Sequence, residues 1–156
     1  MAIFDAKLEF SDDQDVAAAQ TTTGSTNVFN FVDTDLEMGA GEPLWFNCRV
    51  GTEAIAATSG STAGACTLVV SLVNESNTTI DSSSVVVFSS KAFTEAELTK
   101  GDWLIRIPLP YNVDDQKYIG VLYTIGGDTA ADGKVDTWID HGPQSSHDTQ
   151  VSVSNI

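Results

Sequence analysis

Positive charge is scarce in this sequence. Seven Lys and Arg stand against 22 Asp and Glu, a formal net charge of −15. That balance opposes binding to DNA, RNA or an anionic membrane surface, which all need clustered cations. It leaves two kinds of partner: a basic one, or one met through apolar and backbone groups. Long apolar runs are also missing. No stretch reaches the roughly 18 apolar residues of a membrane-spanning helix. The opening MAIFDAKLEF lacks the basic region followed by an apolar core that marks a secretory signal. Cysteine is nearly absent. Cys48 and Cys66 fall in separate expected strands and read as buried free thiols packing as small hydrophobes, with a disulfide left open.

Catalytic signatures are lacking as well. There is no G-x-S-x-G elbow, Walker loop or G-x-G-x-x-G. Asp33, Asp35 and Glu37 alternate at a strand end, but no second carboxylate is identifiable across a cleft, as a glycosidase requires. The loop from Asp128 to Asp136 has neither the spacing nor the distal Glu of a calcium hand. Asp140, His141, His147 and Asp148 match no metal-ligand spacing and read as exposed polar residues. The expectation is a protein that is no enzyme, with no catalytic, cofactor or metal site. Asn74-Glu75-Ser76 and Asn77-Thr78-Thr79 fit the glycosylation sequon, and without a secretory signal they mark only a surface loop.

What the sequence does hold is strand after strand. Its 156 residues suit one domain. Such a chain buries roughly two-thirds of its unfolded surface and needs no metal or disulfide to fold. Two runs stand out between Asp102 and Gly127. Alternation puts Trp103, Ile105, Ile107 and Leu109 on one face, and Ile119, Val121, Tyr123 and Ile125 on one face of the next run. They read as a central antiparallel pair, with Pro108 and Pro110 ending the first strand. Further strands are expected over 27–36, 43–50, 66–74, 84–90 and 134–139, with one edge strand around Val151 and Val153. Thr94 and Glu97 form a capping box for one helical turn, anchored by Leu98 and ended by Gly101.

The pattern predicts an all-β fold, a two-sheet antiparallel sandwich with one short helical turn. Residues 1–26 read as an N-terminal arm, because acids interrupt their apolar residues, with a first edge strand as the rival. The sandwich then occupies 27–156. Ile3, Phe4, Leu8 and Phe10 are too apolar for a free tail and are candidate docking residues. Trp103 falls on the inward face of its strand, while Trp45 and Trp138 fall opposite the inward faces of theirs. Those two are candidates for a protein–protein contact, where aromatics are enriched.

An ordered set of short motifs adds a family resemblance. At the front are Ser11-Asp12-Asp13-Gln14, Ser25-Thr26-Asn27-Val28 and Gly39-Ala40-Gly41. At the back are Leu98 with Gly101, Leu109-Pro110-Tyr111, Tyr118-Ile119-Gly120, Tyr123, and Gly126-Gly127 with Gly133. In this order the chain resembles the jelly-roll capsid cement, or decoration, proteins of tailed bacteriophages, the group typified by that of a Bordetella podophage. Lys117 supplies the basic residue before the Tyr-x-Gly only after the acidic insertion Asp114-Asp115, and Asp132 stands where such proteins are more apolar. The resemblance implies a jelly-roll sandwich and a virion protein made in the host cytoplasm. It implies binding to the major capsid protein on the outer surface of the shell, self-association as a homodimer (a trimer is the alternative), and no cofactor. A carbohydrate- or receptor-binding phage jelly roll is the competing reading, and a sandwich hydrolase ranks last.

Overall fold

The computed structural model describes residues 8–17, 22–30, 44–58, 66–109 and 116–140. In chain order the elements are β1 (Glu9–Asp15), β2 (Thr22–Gly24), β3 (Phe29–Asn30), β4 (Trp45–Val50), β5 (Ala56–Ala57) and β6 (Cys66–Glu75). Then come β7 (Val85–Ser89), β8 (Phe93–Thr94), a 3-10 turn (Glu95–Glu97), β9 (Trp103–Pro108), β10 (Tyr118–Gly127), β11 (Ala130–Asp132) and β12 (Lys134–Asp140). Period-two alternation makes the long strands. Phe46, Cys48 and Val50 of β4, Cys66, Leu68, Val70 and Leu72 of β6, and Ile119, Val121, Tyr123 and Ile125 of β10 meet in one core. Each such side chain contributes about 1.5–3 kcal/mol by leaving water.

Two antiparallel sheets enclose that core. One has the order β1-β12-β4-β9, the other β2-β10-β6-β7, with β3 beside β10, β8 beside β6, and a small β5-β11 ribbon apart. The main pairings nest: β1 with β12, β2 with β10, β4 with β9, β6 with β7. They are the rungs of one long hairpin rolled into two sheets, which is the jelly roll. The single helical turn follows the expected box. The Thr94 N–H and hydroxyl both donate to a Glu97 carboxylate oxygen at 3.0 Å. Leu98 is buried, and Gly101 leaves the turn at φ +80°, which glycine adopts freely. Cys48 and Cys66 are free and buried.

Four expectations need correction. First, β9 and β10 are not paired with each other. β9 is the edge of the four-stranded sheet, and β10 pairs with β6 in the other. Second, much of the expected arm is structural. β1 pairs with β12 in one sheet and β2 with β10 in the other, so the rival edge-strand reading holds for residues 9–15 and 22–24. Third, Trp103 faces solvent with 45% of its surface exposed. Cys48 pairs with Ile105 while the adjacent Arg49 pairs with Trp103, so β9 carries one extra residue at Leu104. A bulge of this kind turns the residue before it to the opposite face. Fourth, Asn74 is buried within β6, so only Asn77 of the two sequons lies on an exposed turn. The expected strand around Val151, the carboxylates at 33, 35 and 37, and His141, His147 and Asp148 lie outside the described residues.

Candidate interaction face

The outer face of the four-stranded sheet gathers side chains from three strands. Register sets Trp45, Asn47 and Arg49 of β4 opposite Pro108, Arg106 and Trp103 of β9. On the other side the same three residues face Asp140, Trp138 and Asp136 of β12. All three tryptophans of the chain and both of its arginines therefore stand on one face.

The side chains stack in a row. The Arg106 guanidinium lies 4.4 Å from the centre of the Trp103 ring. The Trp103 and Trp138 rings lie 5.4 Å apart, tilted by 59°. Arg49 sits 5.6 Å from Trp138. Each exposed cation–ring contact is worth about 0.5–1 kcal/mol. The Arg49 Nε and Nη2 both lie 2.7 Å from Asp136 Oδ2, whose other oxygen accepts the Asp13 N–H at 2.7 Å. Trp138 donates its indole N–H to Asp140 Oδ2 at 3.2 Å. Arg106 differs from Arg49, because among the described residues no carboxylate pairs with it. The row thus ends, at β9, in a half-exposed indole topped by a guanidinium. Trp and Arg are the residue types that most often dominate protein–protein contacts.

The residues expected to dock divide sharply. Trp45 is half-buried and Trp138 only 4% exposed, both on this outer face. Leu8 and Phe10 are core residues and are corrected as docking candidates. The Phe10 ring packs 4.4 Å from Phe29 and 6.2 Å from Phe46 with no exposed surface. It lies inward by alternation, on the same face as Leu8 and opposite to Glu9, and the bulge between Glu9 and Ser11 brings Ser11 to the core beside it. Ile3 and Phe4 lie outside the described residues. Sequence reasoning missed Trp103 and Arg106. Arg106 was legible, since alternation places it opposite Ile105 and Ile107; the bulge that exposes Trp103 has no sequence signal.

No other chemistry assembles among the described residues. No group of three or more His, Cys, Asp or Glu is placed to hold a metal ion. No helix among them is long and apolar enough to cross a membrane. Burial pushes the Cys48 thiol up, with Asp136 adding to the shift, so it is no nucleophile.

Comparison with curated proteins gives no match. Comparison with family models gives one that covers most of the chain: the model described as Bbp16 matches residues 10–139, from β1 into β12. The chain belongs to the Bbp16 family, a family of phage proteins.

Proposed function

We propose that this protein is a structural component of a phage virion that binds the outside of the capsid and cements contacts between major capsid protein subunits. The observation that carries the reading is the Trp–Arg face on a phage-family jelly roll. The body is a rigid sandwich, and one face holds every tryptophan and arginine of a strongly acidic chain. High net charge keeps copies apart before assembly. The row of indoles ending in the Arg106 guanidinium gives them one way to dock, onto a shell surface that offers carboxylates and apolar groups. Copies that bridge neighbouring subunits need only modest affinity at each contact. The role is structural and calls for no catalytic residue or cofactor.

The tryptophans also motivate the carbohydrate-binding alternative. Sugar stacking needs a bare ring face. Here Arg106 covers Trp103, and Trp138 is almost wholly covered. The row is better suited to a protein surface.

The test is co-sedimentation of the purified protein with intact virions and empty shells, alongside the double variant Trp103→Ala, Arg106→Ala. Wild type should pellet with shells. The variant should keep its melting transition and bind at least about tenfold more weakly, a loss of about 1.4 kcal/mol. Specific binding on a glycan array without affinity for shells would reverse the choice. A wild-type protein that binds neither overturns the reading.

A further inference from the structure

Two register rows cross the outer face of the four-stranded sheet. One runs Asp136, Arg49, Trp103, and its charges are settled internally, because Arg49 pairs with Asp136. The other takes one residue from each strand: Glu9, Trp138, Asn47, Arg106. Residues directly opposite each other share a face of the sheet, so all four stand on the outer side. This second row is open at both ends. Among the described residues no cation pairs with Glu9 at the β1 end, and no carboxylate pairs with Arg106 at the β9 end.

The surroundings sharpen the contrast. Burial, and then the nearby charges of Asp12 and Asp136, raise the Glu9 carboxyl above its ordinary range, so more acid is gathered there than the face can neutralise. At the other end the Arg106 guanidinium lies over the Trp103 ring with its charge unmatched. The middle is unsatisfied as well. Asn47 is 1% exposed, and its side-chain N–H donates to Trp45 O at 3.2 Å, while its Oδ1 is buried without a partner. Buried acceptors left in that state are uncommon. The row thus carries an unpaired acid, an indole, an unpartnered acceptor and an unpaired cation, in that order.

We propose that this row is a polarised docking strip that fixes the direction in which the protein lies on the shell: an acidic side chain of the major capsid protein meets Arg106, and a basic one meets Glu9. Four neighbouring strands span three spacings of about 4.8 Å, which sets the two partner groups roughly 14 Å apart. The inference rests on the shell-binding reading above and adds a direction to it. Charge selects the occupant. A second copy would set Glu9, Asp12, Asp136 and Asp140 against the same four acids, with only Arg49 and Arg106 of each copy to offset them. A partner with a base toward Glu9 and an acid toward Arg106 supplies the counter-ion that each end lacks. The reversed direction sets acid on acid and cation on cation, and like-charge contacts of that kind exclude wrong arrangements.

The experiment measures co-sedimentation with empty shells for wild type and for the exchanged variant Glu9→Lys, Arg106→Glu, which keeps the net charge of −15 and inverts the strip. Wild type should pellet. The exchanged variant should keep its thermal transition and bind at least about tenfold more weakly at low salt. Added salt should narrow the difference by screening both ends. A folded exchanged variant that binds like wild type overturns the proposal and leaves shell binding standing. A wild type that does not pellet overturns both. If the exchanged variant fails to fold, Glu9→Gln and Arg106→Gln decide singly. Each should weaken binding by about threefold, and wild-type binding by both overturns the strip. Sedimentation velocity of the free proteins tests the other occupant: a change of mass on exchange would put a second copy on the strip and overturn the proposal.

Discussion

Tyr123 reaches across the sandwich from β10 and ties the sheets together at a single hydroxyl. Its Oη lies 2.8 Å from Ser11 Oγ of β1 and contacts Thr137 Oγ1 of β12, both in the opposite sheet. The protons can be assigned by counting. Ser11 donates its only hydroxyl proton to Gln14 Oε1 at 2.5 Å. It must therefore accept from Tyr123, and Tyr123 in turn accepts from Thr137. Gln14 continues the chain outward by donating to Gly24 O at 2.8 Å. Burial pushes the phenol well above its ordinary range, so it keeps the proton it donates. Tyr123→Phe leaves Ser11 without a donor and Thr137 without an acceptor in a dry core. The expected loss is about 1–3 kcal/mol, read as a lower urea midpoint with an unchanged slope. An unshifted midpoint would mean that the chain contributes nothing net. At this scale the sequence was partly legible. Alternation gave the inward faces of β4, β6 and β10 and the outward faces of Trp45 and Trp138. Trp103 was misread because a bulge changes a residue's face through backbone geometry, and no residue type at Leu104 announces it; Phe10 was misread because its strand looked like an arm.

At the scale of elements, nested pairing explains what was hidden. Strands buried on one face declare themselves, and β4, β6, β7, β10 and β12 follow the expected boundaries closely. β1 did not, because Asp12, Asp13, Gln14 and Asp15 resemble a solvated arm. An edge strand carries such charge for its own reason, to refuse another strand. The acids are also used. Asp13 sits at φ +46°, and its carboxylate accepts the Thr52 N–H at 2.8 Å, the Thr52 hydroxyl at 2.7 Å and Lys134 Nζ at 3.2 Å. β9 and β10 looked like a hairpin because they are neighbours in sequence. In a jelly roll only the innermost rung, β6 with β7, joins strands that follow each other so closely. The pairing of β10 with β6 is set by matching apolar faces over Ile119–Ile125 and Leu68–Asn74. The first two strands are therefore needed for the fold. A protein beginning at Ser25 loses β1 and β2, the Phe10 ring and an edge strand from each sheet. It should show no cooperative thermal transition by circular dichroism, whereas a sharp melt near the wild-type temperature would restore the arm.

For the whole molecule the governing quantity is charge, and its consequence appears in acid. The sequence pI is about 4.1, so a net charge of −15 at neutral pH vanishes a few units lower. Colloidal repulsion then disappears, and association is expected between about pH 4 and 5. What associates should be the folded protein, as the shifted carboxylates indicate. Glu97 is pulled down to about 2, first by Lys91 and then by the Thr94 N–H and hydroxyl. Asp13 is lowered chiefly by the Thr52 N–H, and Asp81 by the Ser83 hydroxyl. A carboxylate depressed in the folded state stabilises the fold above its ordinary value and loses that contribution only as pH falls through its folded value. For Glu97 that window runs from 4.5 down to about 2, so most of its contribution survives at pH 4 to 5. Glu9 has the opposite sign. Burial and then the nearby Asp12 and Asp136 raise it, so its cost to the fold is relieved as acid protonates it. Light scattering should therefore rise between about pH 5 and 4 while near-ultraviolet circular dichroism stays native, and return to pH 7 should redissolve the protein. Flat scattering would contradict the charge argument. Scattering that rises together with loss of the tryptophan signal would show that the sandwich, rather than its surface, fails first.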